Sequence, residues 1–288
     1  MSVAIIINPI SGTARRDAGR RRAELAAAVL TSTGETGEVF VTERKGHGRE
    51  LAAGAIARGA RQVVAWGGDG TVNEVASALV STGTALSIVP SGSGNGLARA
   101  LGVARDPKQA IAGALTGAVR PIDAGEIGGR FFFNIAGIGF DAHVASLFDT
   151  DSGGRGFSGY VRITFRELRS YRCGTYRIDG RARQAFLVTF ANASQFGNGA
   201  RIAPDARVDD GQLDLVVFEE VSRLSTLAGL PRLFTGTIGR QRGVSIQRIE
   251  RATIESDQPM IFHVDGEPVR GGTRLEARVL PGALRVRV

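Results

Sequence analysis

The junction V-V-A-W-G-G-D-G-T-V-N-E-V-A-S-A-L, from Val63 to Leu79, limits the folds open to this chain more than any other stretch. Val63 to Trp66 is apolar throughout, the pattern of a strand buried on both faces. Val72, Val75, Ala76 and Leu79 recur at helical spacing and give one apolar face. Between them Gly67, Gly68 and Gly70 remove three side chains from four positions, so the backbone can take positive φ and turn its N–H groups toward one point. A helix N-terminus aimed at the same point makes the turn a phosphate site. Asp69 is the one charge in the turn; it must sit beside the phosphate or face it across a cation such as Mg²⁺. A plain strand-to-helix turn seldom needs three glycines.

The same grammar repeats on either side. Val3 to Ile7 reads as a strand ending in the turn Asn8-Pro9-Ile10-Ser11-Gly12, before an arginine-rich helix from about Arg15 to Leu30. Val39 to Val41 is a short strand followed by Thr42, and Glu50 to Arg58 a helix closed by Gly59. Ala85 to Val89 is a fourth strand, with a second glycine turn at Pro90 to Gly96 leading into a helix at Leu97 to Leu101. Asp106 caps a helix that starts at Pro107 and stops at Gly117. Strands alternating with helices imply a parallel sheet covered on both faces, with the turns at Asn8, Thr42, Gly67 and Ser91 at its carboxyl edge.

After Asp123, which ends the last strand of this first part, strands and hairpin turns take over, and the division falls between 124 and 125. Ala185 to Ala191, Leu213 to Phe218, Arg251 to Glu255, Met260 to Val264, Leu275 to Leu280 and Ala283 to Val288 read as sandwich strands. The last of them are expected to pack near the boundary. Gly153 to Gly156 reads as a mobile loop, and Tyr160 to Tyr171 as one amphipathic helix bearing Val161, Phe165 and Leu168 on a face.

Composition removes several function classes. Cys173 is the single cysteine, and His47, His143 and His263 have no zinc-ligand spacing, which argues against a disulfide framework or zinc centre and fits a reducing cytoplasm. No 18-residue apolar run and no basic leader occur, so membrane contact is expected to be peripheral. The formal charge of +8 comes almost wholly from arginine, since Lys45 and Lys108 are the only lysines. Arginine suits phosphate and anionic surfaces, although arginine-rich codon usage gives the same composition. Gly92-x-Gly94-x-Gly96 lacks the dinucleotide G-x-G-x-x-G spacing, and G-x-x-x-x-G-K is absent.

Two glycine turns at adjacent strand ends, four loops facing one edge and a carboxylate in the Gly67 to Gly70 turn point to an ATP-type phosphate site with Mg²⁺ and to phosphoryl transfer. A carboxylate must then accept the proton of the attacking hydroxyl. Asp69, Asp123, Asp265 and Glu267 are the candidates. For Asp265 an ordinary Asp-Gly hairpin turn is an equal reading of the spacing.

The motifs Asn8-Pro9-x-Ser11-Gly12, Gly67-Gly68-Asp69-Gly70-Thr71-x-Asn73-Glu74, Pro90-x-Gly92-Ser93-Gly94-Asn95 and Asp265-Gly266-Glu267, in this order over the whole chain, resemble the diacylglycerol kinase catalytic family, which includes sphingosine kinases and bacterial lipid kinases. The resemblance implies an α/β nucleotide domain over 1–124, a β-sandwich lipid-substrate domain over 125–288, and an ATP cleft between them. Asn8, Pro9, Ile10, Ser11, Gly12, Thr42, Gly67, Gly68, Asp69, Gly70, Thr71, Val72, Asn73 and Ser93 would hold the nucleotide. Asp265 or Glu267 would be the general base, with Asp265 favoured from bacterial members and the position of Asp69 from sphingosine kinases. Asp69 and Asp123 would organise Mg²⁺ through water, and Glu74 would help fix the turn.

Pro204 to Asp214 is similar to the family loop that binds a structural Mg²⁺, which carries over to the Asp210 side chain with the carbonyls of Arg207 and Gln212. Asn134, Gly137, Gly139, Phe140 and Asp141 match a stretch near the lipid cleft, with Asp141 as a headgroup contact. Ser93 and Gly96 stand where many diacylglycerol kinases have threonine and aspartate, and this G-S-G-N form looks more like the sphingosine kinase branch. The expected activity is an ATP-dependent lipid kinase acting on a lipid such as diacylglycerol, with a sphingoid-base or other lipid kinase of the same fold, an NAD kinase or a non-catalytic regulator that binds ATP or lipid as alternatives. Expected partners are a lipid substrate at the inner membrane face, anionic phospholipid met by Arg155, Arg162, Arg166 and Arg169, and a second copy of the chain; nucleic acid is not expected.

Overall fold

A computed structural model describes residues 2–12, 17–150, 157–197, 199–220 and 223–288. The chain forms two compact units, one running up to Ile122 and regaining Gly282–Val288, the other spanning Asp123–Pro281.

The first unit alternates strand and helix: β1 (Val3–Ile7), α1 (Ala18–Thr33), β2 (Gly37–Val41), α2 (His47–Ala57), β3 (Gln62–Gly67), α3 (Asp69–Leu79), β4 (Ala85–Pro90), α4 (Gly96–Ala100) and α5 (Pro107–Thr116). β1 lies between β2 and β3, and β3 pairs with β4, all in parallel register. Val3, Ile5, Ile7, Val64, Trp66 and Val89 pack on Ala26 and Leu30 of α1 and on Ala110, Ile111 and Ala114 of α5. The intervening Ala4, Ile6, Val63 and Ala65 are equally buried, and α2 and α3 contact the strands on that opposite side. Burial on both faces is what the unbroken apolar strands require. Asp106 caps α5 by accepting the Gln109 amide at 3.0 Å, with Pro107 in the first turn.

The second unit contains β5 (Val119–Ile127), which enters it from the first, β6 (Arg130–Phe132), β7 (Ile135–Gly139), α6 (Phe140–Thr150), α7 (Phe157–Glu167), β8 (Gly174–Ile178), β9 (Arg181–Ala191), β10 (Gln195–Gly197), β11 (Ala200–Arg201), β12 (Leu213–Glu219), α8 (Arg223–Thr235), β13 (Val244–Ile249), β14 (Arg251–Glu255), β15 (Ile261–Val264), β16 (Glu267–Arg270) and β17 (Arg274–Arg287). β9 organises it: residues 181–185 pair with β8, 187–191 with β7, and its other edge takes β12, all antiparallel. Phe132, Ile138, Phe190, Leu215, Ile254, Phe262 and Leu275 meet in one sandwich core. A second cluster joins Phe140 and Val144 of α6 and Ile163 of α7 to Leu187 and Val216 of the strands.

An α/β unit with a parallel sheet and a β-rich second unit agree with the sequence reading, while several details differ. Leu275 to Leu280 and Ala283 to Val288 are one strand, β17, which pairs antiparallel with β14 and then parallel with β4. Pro281 and Gly282 mark its passage between partners instead of a turn. The helix expected over Tyr160 to Tyr171 is α7 and stops at Glu167. The Gly153 to Gly156 loop, with Arg155, lies outside the described residues. Asp123 lies inside β5, not at a strand end.

Candidate active site

Three turns meet at the carboxyl edge of the parallel sheet. Asn8 Nδ2 donates to Thr71 Oγ1 at 2.9 Å, tying the turn after β1 to the start of α3. The Ser11 and Ser91 hydroxyls lie 2.7 Å apart, and the Ser91 amide donates to the Gly67 carbonyl at 2.8 Å. Thr42, buried after β2, donates its amide to Ile7 at 2.8 Å. Pro9 and Ile10 form the tip of the first turn, where the Ile10 side chain is 65% exposed.

Gly67 and Gly68 of the central turn serve close approach, not unusual φ. Gly67, Gly68 and Gly70 all lie outside the positive-φ region, contrary to the expectation. A Cβ on Gly67 would collide with Thr71, and one on Gly92 would lie 2.6 Å from the Gly68 Cα. Left-handed backbone occurs instead at Gly12 (φ 74°) and Asn95 (φ 52°), where Asn95 closes its own turn by accepting the Gly92 amide and donating to the Gly92 carbonyl.

Asp69 joins the two glycine turns. Its Oδ2 accepts the Asn95 amide at 2.8 Å and its Oδ1 the Gly96 amide at 2.7 Å. Both are charge-assisted bonds to backbone donors. Val72 and Asn73 follow on α3, both buried, and Ser93 is exposed at the tip of the second turn. Glu74 fixes a different turn from its own: it accepts the Gly46 amide at 2.7 Å and the Gly48 amide at 2.9 Å at the start of α2. Sequence reasoning missed Arg22, whose guanidinium donates to the Asn8 carbonyl at 2.6 Å and to the Ser11 hydroxyl and carbonyl at 2.9 and 3.0 Å. Burial pushes the Arg22 pKa below its ordinary value. Its position one helical turn inside an arginine-rich stretch gave no signal to set it apart.

The second unit holds the other candidates. Val264 and Glu267 pair across a two-residue turn in which Asp265 (φ 49°) and Gly266 (φ 87°) are both left-handed, the Asp-Gly geometry of a tight hairpin. The Asp265 carboxylate accepts the amides of Phe133, Asn134 and Ile135 at 3.0, 2.9 and 3.0 Å, which fixes its orientation. Asp123 accepts the Gly211 amide at 2.7 Å and donates its own amide to Val208, so it anchors the 204–214 loop. Asn192, fully buried, donates to the Asp123 and Phe133 carbonyls. The side-chain oxygens of Asn134 and Asn192 are buried without a donor among the described residues.

In the 204–214 loop Asp210 accepts the Gln212 amide at 3.2 Å, and Arg207 pairs with Asp209 at 3.3 Å. Burial pushes the Asp214 carboxyl up to about 6; Arg248 opposes this, and the negative Asp210 and Asp205 add to it. Crowded like charge in an oxygen-rich loop suits a hard cation. Among the described residues no three His, Cys, Asp or Glu side chains converge on a metal-sized space, so a cation here would rely on the Asp210 carboxylate with carbonyl and water oxygens. Asp141 is buried and its carboxylate is engaged from three sides, by the Ala142 amide, the Thr189 hydroxyl and His263.

Residues 2–127 match the diacylglycerol kinase catalytic domain family, and residues 134–288 match the YegS C-terminal NAD kinase beta sandwich-like domain. A Pseudomonas aeruginosa protein named "Probable lipid kinase YegS-like" is 34% identical over 94% of this chain and 91% of its own length. A Serratia proteamaculans protein of the same name is 29% identical over 95% and 91%. A crystal structure described as a diacylglycerol kinase from Bacillus anthracis superposes with a TM-score of 0.72 over 99% of this chain and 96% of its own, at 21% identity, a likeness of fold. The chain belongs to the diacylglycerol kinase catalytic domain family and carries the YegS-type β-sandwich as its second half.

Proposed function

We propose that the protein is a lipid kinase that transfers the terminal phosphoryl group of ATP to a hydroxyl of a membrane lipid, with diacylglycerol as the first acceptor to test and sphingoid bases next. The observation that carries this reading is the pair of glycine turns locked by Asp69 at the carboxyl edge of a parallel sheet, in a chain of this family. The close approach of Gly68 and Gly92, which a single Cβ would fill, leaves backbone in place of side chains where a phosphate chain would lie. In this reading the turn 8–12, Thr42, the stretch 67–73 and Ser93 hold the nucleotide.

Mg²⁺ supplies charge neutralisation of the phosphates when bound. Asp69 and Asp123, each oriented by the backbone amides it accepts, would face its water shell. Asp210, with the carbonyls of Arg207 and Gln212, would hold a separate structural Mg²⁺. Asp265 is assigned as the base that takes the acceptor hydroxyl proton, with Glu267 beside it. Three amides fix the Asp265 carboxylate, and in a loose phosphoryl-transfer transition state orientation counts for more than basicity.

No helix among the described residues is long and apolar enough to cross a membrane. Access to a bilayer-borne acceptor would instead run through α7, which carries Arg162, Arg166 and a Phe165 side chain that is 52% exposed, followed by Arg169.

Labelled ATP and Mg²⁺ with mixed micelles of diacylglycerol, monoacylglycerol, sphingoid base or phosphatidylglycerol test the reading. Transfer to at least one lipid is expected. Phosphorylation of NAD with no lipid labelled would replace it. Asp265→Asn is expected to lower kcat on the order of 100-fold or more while ATP affinity changes less than about twofold.

A further inference from the structure

We propose that Asp141 and His263 form a buried positioning pair that sets the turn carrying Asp265 and Glu267, an inference that rests on the assignment of the base to that turn. His263 stands at the third position of β15, two residues before Asp265, and it is 4% exposed. Its two ring nitrogens have different partners. Nε2 lies 3.2 Å from Asp141 Oδ2, and Nδ1 lies 3.3 Å from the amide nitrogen of Gly266.

An amide N–H can only donate, so Nδ1 accepts and carries no proton. The remaining ring proton is on Nε2 and points to the Asp141 carboxylate. Asp141 therefore selects the tautomer that lets His263 grip the one peptide N–H between the two candidate bases. Asp141 is itself fixed, by the Ala142 amide at 2.8 Å on Oδ1 and the Thr189 hydroxyl at 3.2 Å on Oδ2.

The turn is thus held from two directions. The Asp265 side chain ties it to the amides at 133–135, and His263 ties its Gly266 end to the start of α6. The Asp-Gly sequence already suits two successive left-handed residues, so these ties set where the turn sits and not its type. The space around the pair is also filled: a Cβ on Gly137 would lie 2.9 Å from His263 Nε2 and would collide with Asp141 Oδ2. Neither residue touches a reacting atom in this assignment; both act through Gly266.

Two variants separate the grip on Gly266 from packing. His263→Asn can place its Oδ1 near the Nδ1 position and keep the acceptor for Gly266, whereas His263→Gln can keep a donor toward Asp141 and lose that acceptor. With the lipid acceptor that the wild type labels best, His263→Gln is expected to lose on the order of 10–100-fold in kcat with the ATP KM nearly unchanged, since small misplacements of a catalytic group cost this much. His263→Asn is expected to stay within about threefold of wild type. Equal loss in both variants, or a His263→Gln enzyme with wild-type kcat, overturns the proposal.

A second measurement needs no variant. The ring nitrogen shifts of His263 in the wild-type protein should show a proton on Nε2 and none on Nδ1; a proton on Nδ1 overturns the proposal even if the variants do not fold. Wild-type turnover in both Asp265→Asn and Glu267→Gln would instead sink the base assignment, and the ring tautomer distinguishes that failure from this one.

Discussion

Aspartates in this protein are spent largely on main-chain amides. Asp69, Asp123 and Asp265 each accept at least one and thereby tie a turn or loop in place, while Asp141 accepts the Ala142 amide at the start of α6. Asp214 behaves differently. Burial raises its carboxyl from the ordinary 3.8 to about 6, with Asp210 and Asp205 adding to the shift and Arg248 opposing it. The folded protein therefore binds this proton more tightly than the unfolded chain, and stability falls as pH rises through the window between those two values, then levels above it. In protein freed of divalent cations by a chelator, Asp214→Asn is expected to remove that decline and to raise Tm at neutral pH by about 2–4 °C. Thermal unfolding of both proteins across the window checks this, and an unchanged pH slope in the variant would remove Asp214 as its source.

At the scale of elements, the two glycine turns work as one part because their backbones touch. Gly92→Ala is expected to push its Cβ against the Gly68 Cα, which cannot yield as a side chain end would, at a cost of about 1–3 kcal/mol. It should also raise the ATP KM several-fold. Gly83→Ala is the control: its φ of 76° makes alanine strained at about 1 kcal/mol, but nothing lies within 4 Å of the added Cβ, so the ATP KM should not move. Comparable KM changes in both variants would show that general destabilisation, not turn contact, is responsible.

The strands and turns of this half were legible because each signal is local: apolar runs, glycines and caps lie within a few residues of what they determine. The job of Asp69 was not, since its amide partners are 26 and 27 residues away in the next turn. Nor were α6, which follows β7 without a capping signal, and α8, whose internal Pro231 argues locally against a helix. The His263 pairing was hidden for the same reason, because Asp141 is 122 residues distant.

On the scale of the whole chain, the seven residues from Gly282 to Val288 belong to the first unit although more than half the sequence intervenes. Arg285 and Val286 pair in parallel with Ala85 and Leu86, placing the end of β17 beside β4 on the side away from β3. The attachment is reinforced by side chains. Ser87 Oγ donates to the Arg287 carbonyl at 3.1 Å while accepting from Gln62, which also reaches the Ala114 carbonyl. Arg287 donates to Leu115, and the Val288 amide to Ala118. Leu284 and Val286 are 0% and 1% exposed. A fragment ending at residue 122 would therefore leave β4 with an open edge and an uncovered apolar patch. Deleting residues 283–288 is expected to cost about 3–6 kcal/mol from these two side chains alone, at about 1.5–3 kcal/mol each. The loss should be local. In hydrogen exchange the amides of β3 and β4 should lose protection, while those of β9 and β12, which pair only within the second unit, keep theirs. Protection of β4 equal to that of the intact chain would mean that the returning strand does not stabilise the first unit.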